Sequence, residues 1–131
     1  MATENKNLSQ YDKSTLPSGK GKCFAIVTSE WNNHITFNLR DGVKDTLIDL
    51  GVDEKDILMM HVPGSFELVY GADKIAQKYP NLDGIIAVGC VIRGETAHFD
   101  YVCQGVTQGI QFLNQKHPMP IIFCLSLIHI S

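Results

Sequence analysis

The chain has no run of apolar residues approaching the roughly 18 that cross a bilayer. Its opening, MATENKNLSQYDKSTLPSGKGK, has no apolar core of the kind a secretory signal needs. Neither a membrane partner nor export is expected, and the cytoplasm is the expected compartment. Basic charge is also scarce: 11 Lys and Arg stand against 14 Asp and Glu, for a net charge of -3. No basic stripe is available to neutralise a phosphate backbone, so nucleic acid is not expected as a partner. The four cysteines, Cys23, Cys90, Cys103 and Cys124, include no C-x-x-C pair and have no histidine at metal-ligand spacing. They are expected to be buried thiols in a reducing compartment, with no metal site. The phosphate-binding G-x-x-x-x-G-K-[ST], the dinucleotide-binding G-x-G-x-x-G and the hydrolase elbow G-x-S-x-G are all missing. There is no fixed-period repeat and no low-complexity segment.

What is present is ordinary globular composition, 131 residues with 44% hydrophobic and 19% charged side chains. That length supports one core burying roughly two thirds of the unfolded chain's surface. Residues 1–21 are polar, with Pro17, Gly19 and Gly21 near their end, and are expected to be a flexible arm ahead of a domain over residues 22–131. From Lys22 onward a short apolar run, a polar loop and a helically periodic segment recur in that order. Strands are expected at Cys23 to Thr28, Ile57 to Val62, Gly84 to Ile92 and from Pro120 to Leu125. The intervening helices are expected from about His34 to Leu50, Ser65 to Tyr79 and Ala97 to Asn114. Gly51 follows the first of these as a left-handed terminator, and Pro80 stops the second. Ile35, Leu39, Val43, Leu47 and Leu50 share one helical face. Apolar strands alternating with helices imply an α/β fold, a three-layer αβα sandwich with a four-stranded parallel sheet. Ligands of such sheets sit beyond the carboxyl ends of the strands, where the three loops emerge.

Those loops hold the unusual residues. After the third strand comes RGETAHFDY, residues 93–101. Gly94, Glu95 and Thr96 precede a helix whose first free N–H groups and positive dipole end make an anion site. Thr96 either caps the helix or meets a phosphate oxygen. His98, in the first turn, is expected to hold its proton less tightly beside the helix dipole and to serve as a general acid or base. An ordinary cap with an exposed histidine is the competing reading. In the second loop, Ser65 suits an N-cap and Glu67 suits a helix start on structural grounds alone. Equally, Glu67 can read a polyol or polar ring, with Phe66 as a wall. In the first loop, Trp31 either closes the loop or stacks on a planar ligand, beside the donor and acceptor of Asn32. His34, His61, His117 and His129 are expected to be solvated or structural, and Phe99, Tyr101 and Val102 to be core.

The segments VPGSFE, residues 62–67, and GCVIRGETAHFDYV, residues 89–102, closely resemble the lumazine synthase family of riboflavin biosynthesis, with the likeness running from about Lys22 to Leu125. The resemblance implies flavodoxin-like, lumazine-synthase topology. It also implies condensation of 5-amino-6-(D-ribitylamino)uracil with 3,4-dihydroxy-2-butanone 4-phosphate, without metal or redox cofactor. By the same resemblance Trp31 stacks on the pyrimidine and Asn32 borders the ribityl pocket. Ser65, Phe66 and Glu67 bind the ribitylaminouracil, while Cys90, Val91 and Ile92 line the pyrimidine site. Glu95 and Thr96 fall at the phosphate-binding turn and His98 at the proton-transfer position. Phe123 is contributed by a neighbouring subunit of a pentamer, which stacks into decamers or 60-subunit shells in some members. The family continues beyond this point with a Thr-rich loop and two helices carrying an arginine for the phosphate. Here Ser126-Leu127-Ile128-His129-Ile130-Ser131 follows instead, an atypical tail. The expectation is a truncated member with part of one sheet face open. Two alternatives stand beside catalysis: an inactive pyrimidine- or flavin-binding or assembly subunit of the same fold, and a flavodoxin-like binding domain.

Overall fold

The apolar runs form four parallel strands. In the computed structural model, which describes residues 11–129, these are β1 (Phe24–Ser29), β2 (Ile57–Val62), β3 (Gly84–Arg93) and β4 (Ile121–His129). Three helices connect them: α1 (Asn33–Asp49), α2 (Leu68–Lys78) and α3 (His98–Lys116). The sheet order is β2-β1-β3-β4. The sheet therefore grows to one side of β1 with β2 and to the other with β3 and β4, and between β1 and β3 the loops diverge and leave a crevice. Residues 1–10 of the expected arm and residues 130 and 131 of the expected tail lie outside the described residues. Among the described residues no helix is long and apolar enough to cross a membrane.

Alternation along the strands sorts the core into two faces. Ala25, Val27, Ile85 and Ala87 meet Leu68, Ala72 and Ile75 of α2 and Val106, Ile110 and Leu113 of α3. On the other face Ile26, Ile86 and Val88 meet Leu39, Val43 and Leu47 of α1. Ile26, Leu68 and Ile85 are fully buried, each worth about 1.5 to 3 kcal/mol relative to exposure. The most buried residue of α1 is Thr36, whose hydroxyl donates to the Ser29 carbonyl at 2.6 Å. α1 lies over β1 and β3, and on its side of β4 Ile122 is 53% exposed.

The helix ends follow local chemistry. Gly51 adopts φ +107°; its N–H donates to Ile48 and that of Val52 to Leu47, both at 3.0 Å. These paired bonds close α1 in a Schellman turn that needs the left-handed glycine. Residues 11–21 run back along this end, with Gly19 N–H donating to the Leu50 carbonyl at 2.7 Å and Tyr11 hydroxyl to Asp49 at 2.6 Å. Asn114 of α3 grips the start of β4: its amide oxygen accepts from Ile121 N–H at 2.7 Å and its amide nitrogen donates to the Ile121 carbonyl at 3.0 Å.

Four expectations need correction. The helix expected from Ser65 is a 3-10 turn over Ser65–Glu67 before α2 begins at Leu68. Only Cys90 is a buried thiol; Cys23, Cys103 and Cys124 are half-buried. Tyr101 is 73% exposed, because it lies on the outer side of α3, opposite Val106 and Ile110. β4 runs through Leu125 into the expected tail as far as His129, pairing with β3 throughout.

Candidate active site

A cleft of about 530 Å³ opens at the carboxyl ends of β1, β2 and β3. Its walls come from all three loops: Trp31 from the first, Gly64 to Glu67 from the second, and Cys90, Val91, Ile92, Gly94 and His98 from the end of β3 and the start of α3. Backbone bonds hold the first two loops together. Glu30 N–H donates to Val62 at 2.8 Å and Trp31 N–H to Pro63 at 3.0 Å, extending the β1–β2 ladder past its last paired residues. Trp31 itself is 66% exposed and Phe66 61%, two apolar plates with free faces at the mouth.

Ser65 does not cap the turn it begins; that position belongs to Gly64, without a side-chain bond. Instead the buried Ser65 hydroxyl accepts from Cys90 N–H at 3.1 Å and donates to the Cys90 carbonyl at 2.9 Å. The pairing of β1 with β3 ends at Thr28 and Val88. Two residues further on, the Cys90 backbone therefore lacks a strand neighbour on that side, and the hydroxyl replaces it. Gly89 makes the approach possible, since a Cβ there would stand 2.7 Å from Ser65 Oγ and 2.8 Å from Leu68 Cδ1.

Glu67 is half-buried, and its carboxylate lies against Gly64, with no hydrogen-bond or ion-pair partner among the described residues. That leaves its acceptor sites directed at the cleft for hydroxyl or N–H donors. Burial pushes the Cys90 thiol up, an effect partly offset by a hydrogen bond with Ser126. Its sulfur therefore stays protonated at neutral pH and is a wall rather than a nucleophile.

The turn between β3 and α3 is exposed from Gly94 to His98. Ala97 occupies the cap position, and Thr96 Oγ1 reaches His98 N–H at 3.4 Å. Nothing lies within 4 Å of where a Cβ on Gly94 would stand, so the fold itself places no demand for glycine there. Arg93 Nη2 donates to Asp100 Oδ1 across this turn at 2.8 Å.

The structure thus brings Trp31, Ser65, Phe66, Glu67, Cys90, Val91, Ile92 and His98 into one cleft. Glu95 and Thr96 lie on the adjoining exposed turn rather than in its lining. Asn32 caps α1 in the left-handed conformation at φ 60°, with its amide nitrogen buried and not part of the cleft. Phe123 pairs with Ala87 in mid-sheet, packs against this chain's own core and does not reach this chain's cleft. Sequence reasoning did not identify Gly64 or Val102 as wall residues; Val102 follows His98 by one helical turn, which was the available signal.

The class is that of a doubly wound α/β domain with a ligand cleft at its topological switch point. The model of a family described as 6,7-dimethyl-8-ribityllumazine synthase matches residues 21–129, and the chain belongs to that family. It is 56% identical over 125 residues to the protein of that name from Flavobacterium johnsoniae, covering 95% of this chain and 65% of the relative. The corresponding protein of Christiangramia forsetii is 55% identical, covering 95% and 74%. That of Porphyromonas gingivalis is 49% identical, covering 94% and 76%. The chain therefore spans about two thirds to three quarters of the length of these relatives.

Proposed function

We propose that this chain catalyses formation of 6,7-dimethyl-8-ribityllumazine from 5-amino-6-(D-ribitylamino)uracil and 3,4-dihydroxy-2-butanone 4-phosphate. The observation that carries this reading is the convergence of Trp31, Glu67 and His98 on one cleft in a chain of this family. Trp31 and Phe66 supply apolar faces for the planar pyrimidine. Glu67 accepts from the ribityl hydroxyls, and the edge of β3 from Cys90 to Ile92 flanks the ring. The phosphate of the second substrate sits on the turn of Glu95 and Thr96, against the open N–H groups and dipole of α3.

Three proton movements follow from the chemistry. The amine of the uracil adds to the ketone and water leaves, giving an imine; a proton is then removed from the butanone carbon skeleton as inorganic phosphate departs. Finally the second amine closes the ring and another water is lost. His98 stands beside the phosphate turn, where one imidazole can take the skeletal proton and return it to a departing oxygen. Ser65 acts by holding Cys90, since its hydroxyl is already engaged. The working unit in this reading is a ring of identical subunits, a pentamer, with Phe123 of a neighbour closing the pyrimidine site, and the compartment is the cytoplasm.

Mixing the purified full chain with both substrates and following lumazine fluorescence tests the reading. A rate well above the spontaneous condensation is expected; equality with it overturns the proposal. Sedimentation as a monomer at working concentration overturns the ring.

A further inference from the structure

Arg93 is the last residue of β3, and its backbone is paired with His129 of β4. From this anchored position its side chain spans the whole 94–97 turn. Nη2 donates to Asp100 Oδ1 at 2.8 Å, and the guanidinium carbon stands 4.9 Å from the centre of the Phe99 ring. His98, Phe99 and Asp100 are consecutive residues at the start of α3. The turn has little else to hold it. Gly94, Glu95, Thr96, Ala97 and His98 are all exposed, so packing does not fix them. The Thr96 hydroxyl meets His98 N–H only at 3.4 Å.

An ion pair this open, with side chains 46% and 54% exposed, adds little to global stability. Its consequence is local. The guanidinium, bonded to Asp100 through Nη2 and set over the Phe99 ring, ties the strand end to the first helical turn at two points. We infer that Arg93 is a positioning residue that, through Asp100 and Phe99, holds the His98 imidazole over the cleft. This rests on the reading of His98 as the proton-transfer group. A reacting group displaced by a fraction of an ångström loses rate without losing ligand affinity.

The competing role for a guanidinium beside an anion site is direct contact with the substrate phosphate. Arg93→Ala, Asp100→Asn and the double variant separate the two. Positioning predicts that each single variant lowers kcat roughly three- to tenfold with KM for both substrates within about twofold, and that the double variant is no worse than the weaker single. It also predicts faster hydrogen exchange in both single variants at the amides of Asp100 and Tyr101, which donate to the Ala97 carbonyl at 3.0 and 3.3 Å. Direct contact predicts the opposite pattern: Arg93→Ala raises KM for the phosphate substrate, and Asp100→Asn, by freeing the guanidinium, lowers it. That pattern overturns the inference, as does unchanged kcat with unchanged exchange. If the unaltered chain shows no rate above the spontaneous reaction, the functional reading fails. Exchange on the same samples then decides whether the brace exists, and unchanged exchange removes it.

Discussion

The hydroxyl of Ser65 bonds both the N–H and the carbonyl of Cys90, standing in for the strand that β1 no longer provides at that level. Ser65 is 5% exposed and Cys90 1%, so water cannot replace the bonds. Ser65→Ala should therefore leave a buried donor and acceptor unpaired and cost about 1 to 3 kcal/mol. Urea denaturation measures this directly. A loss below about 0.5 kcal/mol, the range of an ordinary surface substitution, would mean the hydroxyl is dispensable to the fold.

Two glycines near the same cleft should answer alanine substitution in opposite ways. A Cβ on Gly89 would stand 2.7 Å from Ser65 Oγ, 2.8 Å from Leu68 Cδ1 and 3.1 Å from Leu125 Cδ1. Overpacking of this kind costs about 1 to 3 kcal/mol. Gly94 meets nothing within 4 Å and has no left-handed φ. Gly94→Ala should leave stability within about 0.5 kcal/mol and, on the proposed function, raise KM for the phosphate substrate by crowding the turn. Equal thermal shifts in the two variants would contradict the packing described.

The strands were legible because strands covered by helices carry apolar runs: residues 84–91 are buried throughout, and Ile57–Val62 is apolar except for the exposed His61. Most of the cleft was legible for a related reason, since parallel topology brings strand-to-helix loops to one end and so gathers Trp31, Glu67 and His98. Interactions set by distant partners were not. Ser65 carries the local pattern of a cap, and nothing in its neighbours points to Cys90, 25 positions away. Asp73 and His117 lie 44 positions apart, yet their atoms are 2.7 Å from each other. Helical periodicity also misplaced Tyr101, because an aromatic residue reads as core whether it faces the sheet or the solvent.

Asp73 joins α2 to the end of α3. One carboxylate oxygen accepts from His117 at 2.7 Å and Lys116 at 3.1 Å, the other from Gln77 at 2.8 Å. These donors, His117 foremost, hold the Asp73 carboxyl below its ordinary value of 3.8. A carboxylate lowered in the native state stabilises it fully above the unfolded value, and the contribution is lost as pH falls through the native one. Asp73→Asn should thus cost roughly 1 to 2 kcal/mol at neutral pH. The gap between variant and unaltered chain should narrow as pH drops below the ordinary carboxylate range. Denaturant midpoints across that range check the sign, and a gap that widens on acidification would refute it.

Trp31 is the sole tryptophan of the chain and stands at the cleft mouth, 66% exposed. A planar ligand that stacks on it should quench its emission, giving a binding signal independent of turnover. His98→Ala leaves Trp31, Phe66 and Glu67 in place, so quenching by the ribitylaminouracil should keep its midpoint within about twofold while kcat falls by about 100-fold or more, the usual range for loss of a general acid or base. On the proposed function Glu67→Gln should do the reverse, weakening the midpoint through the ribityl hydroxyls with a smaller effect on kcat, because that reading sets it against the part of the substrate that does not react. If His98→Ala instead weakens binding and spares kcat, the imidazole is a ligand contact and the proton transfers belong to another group.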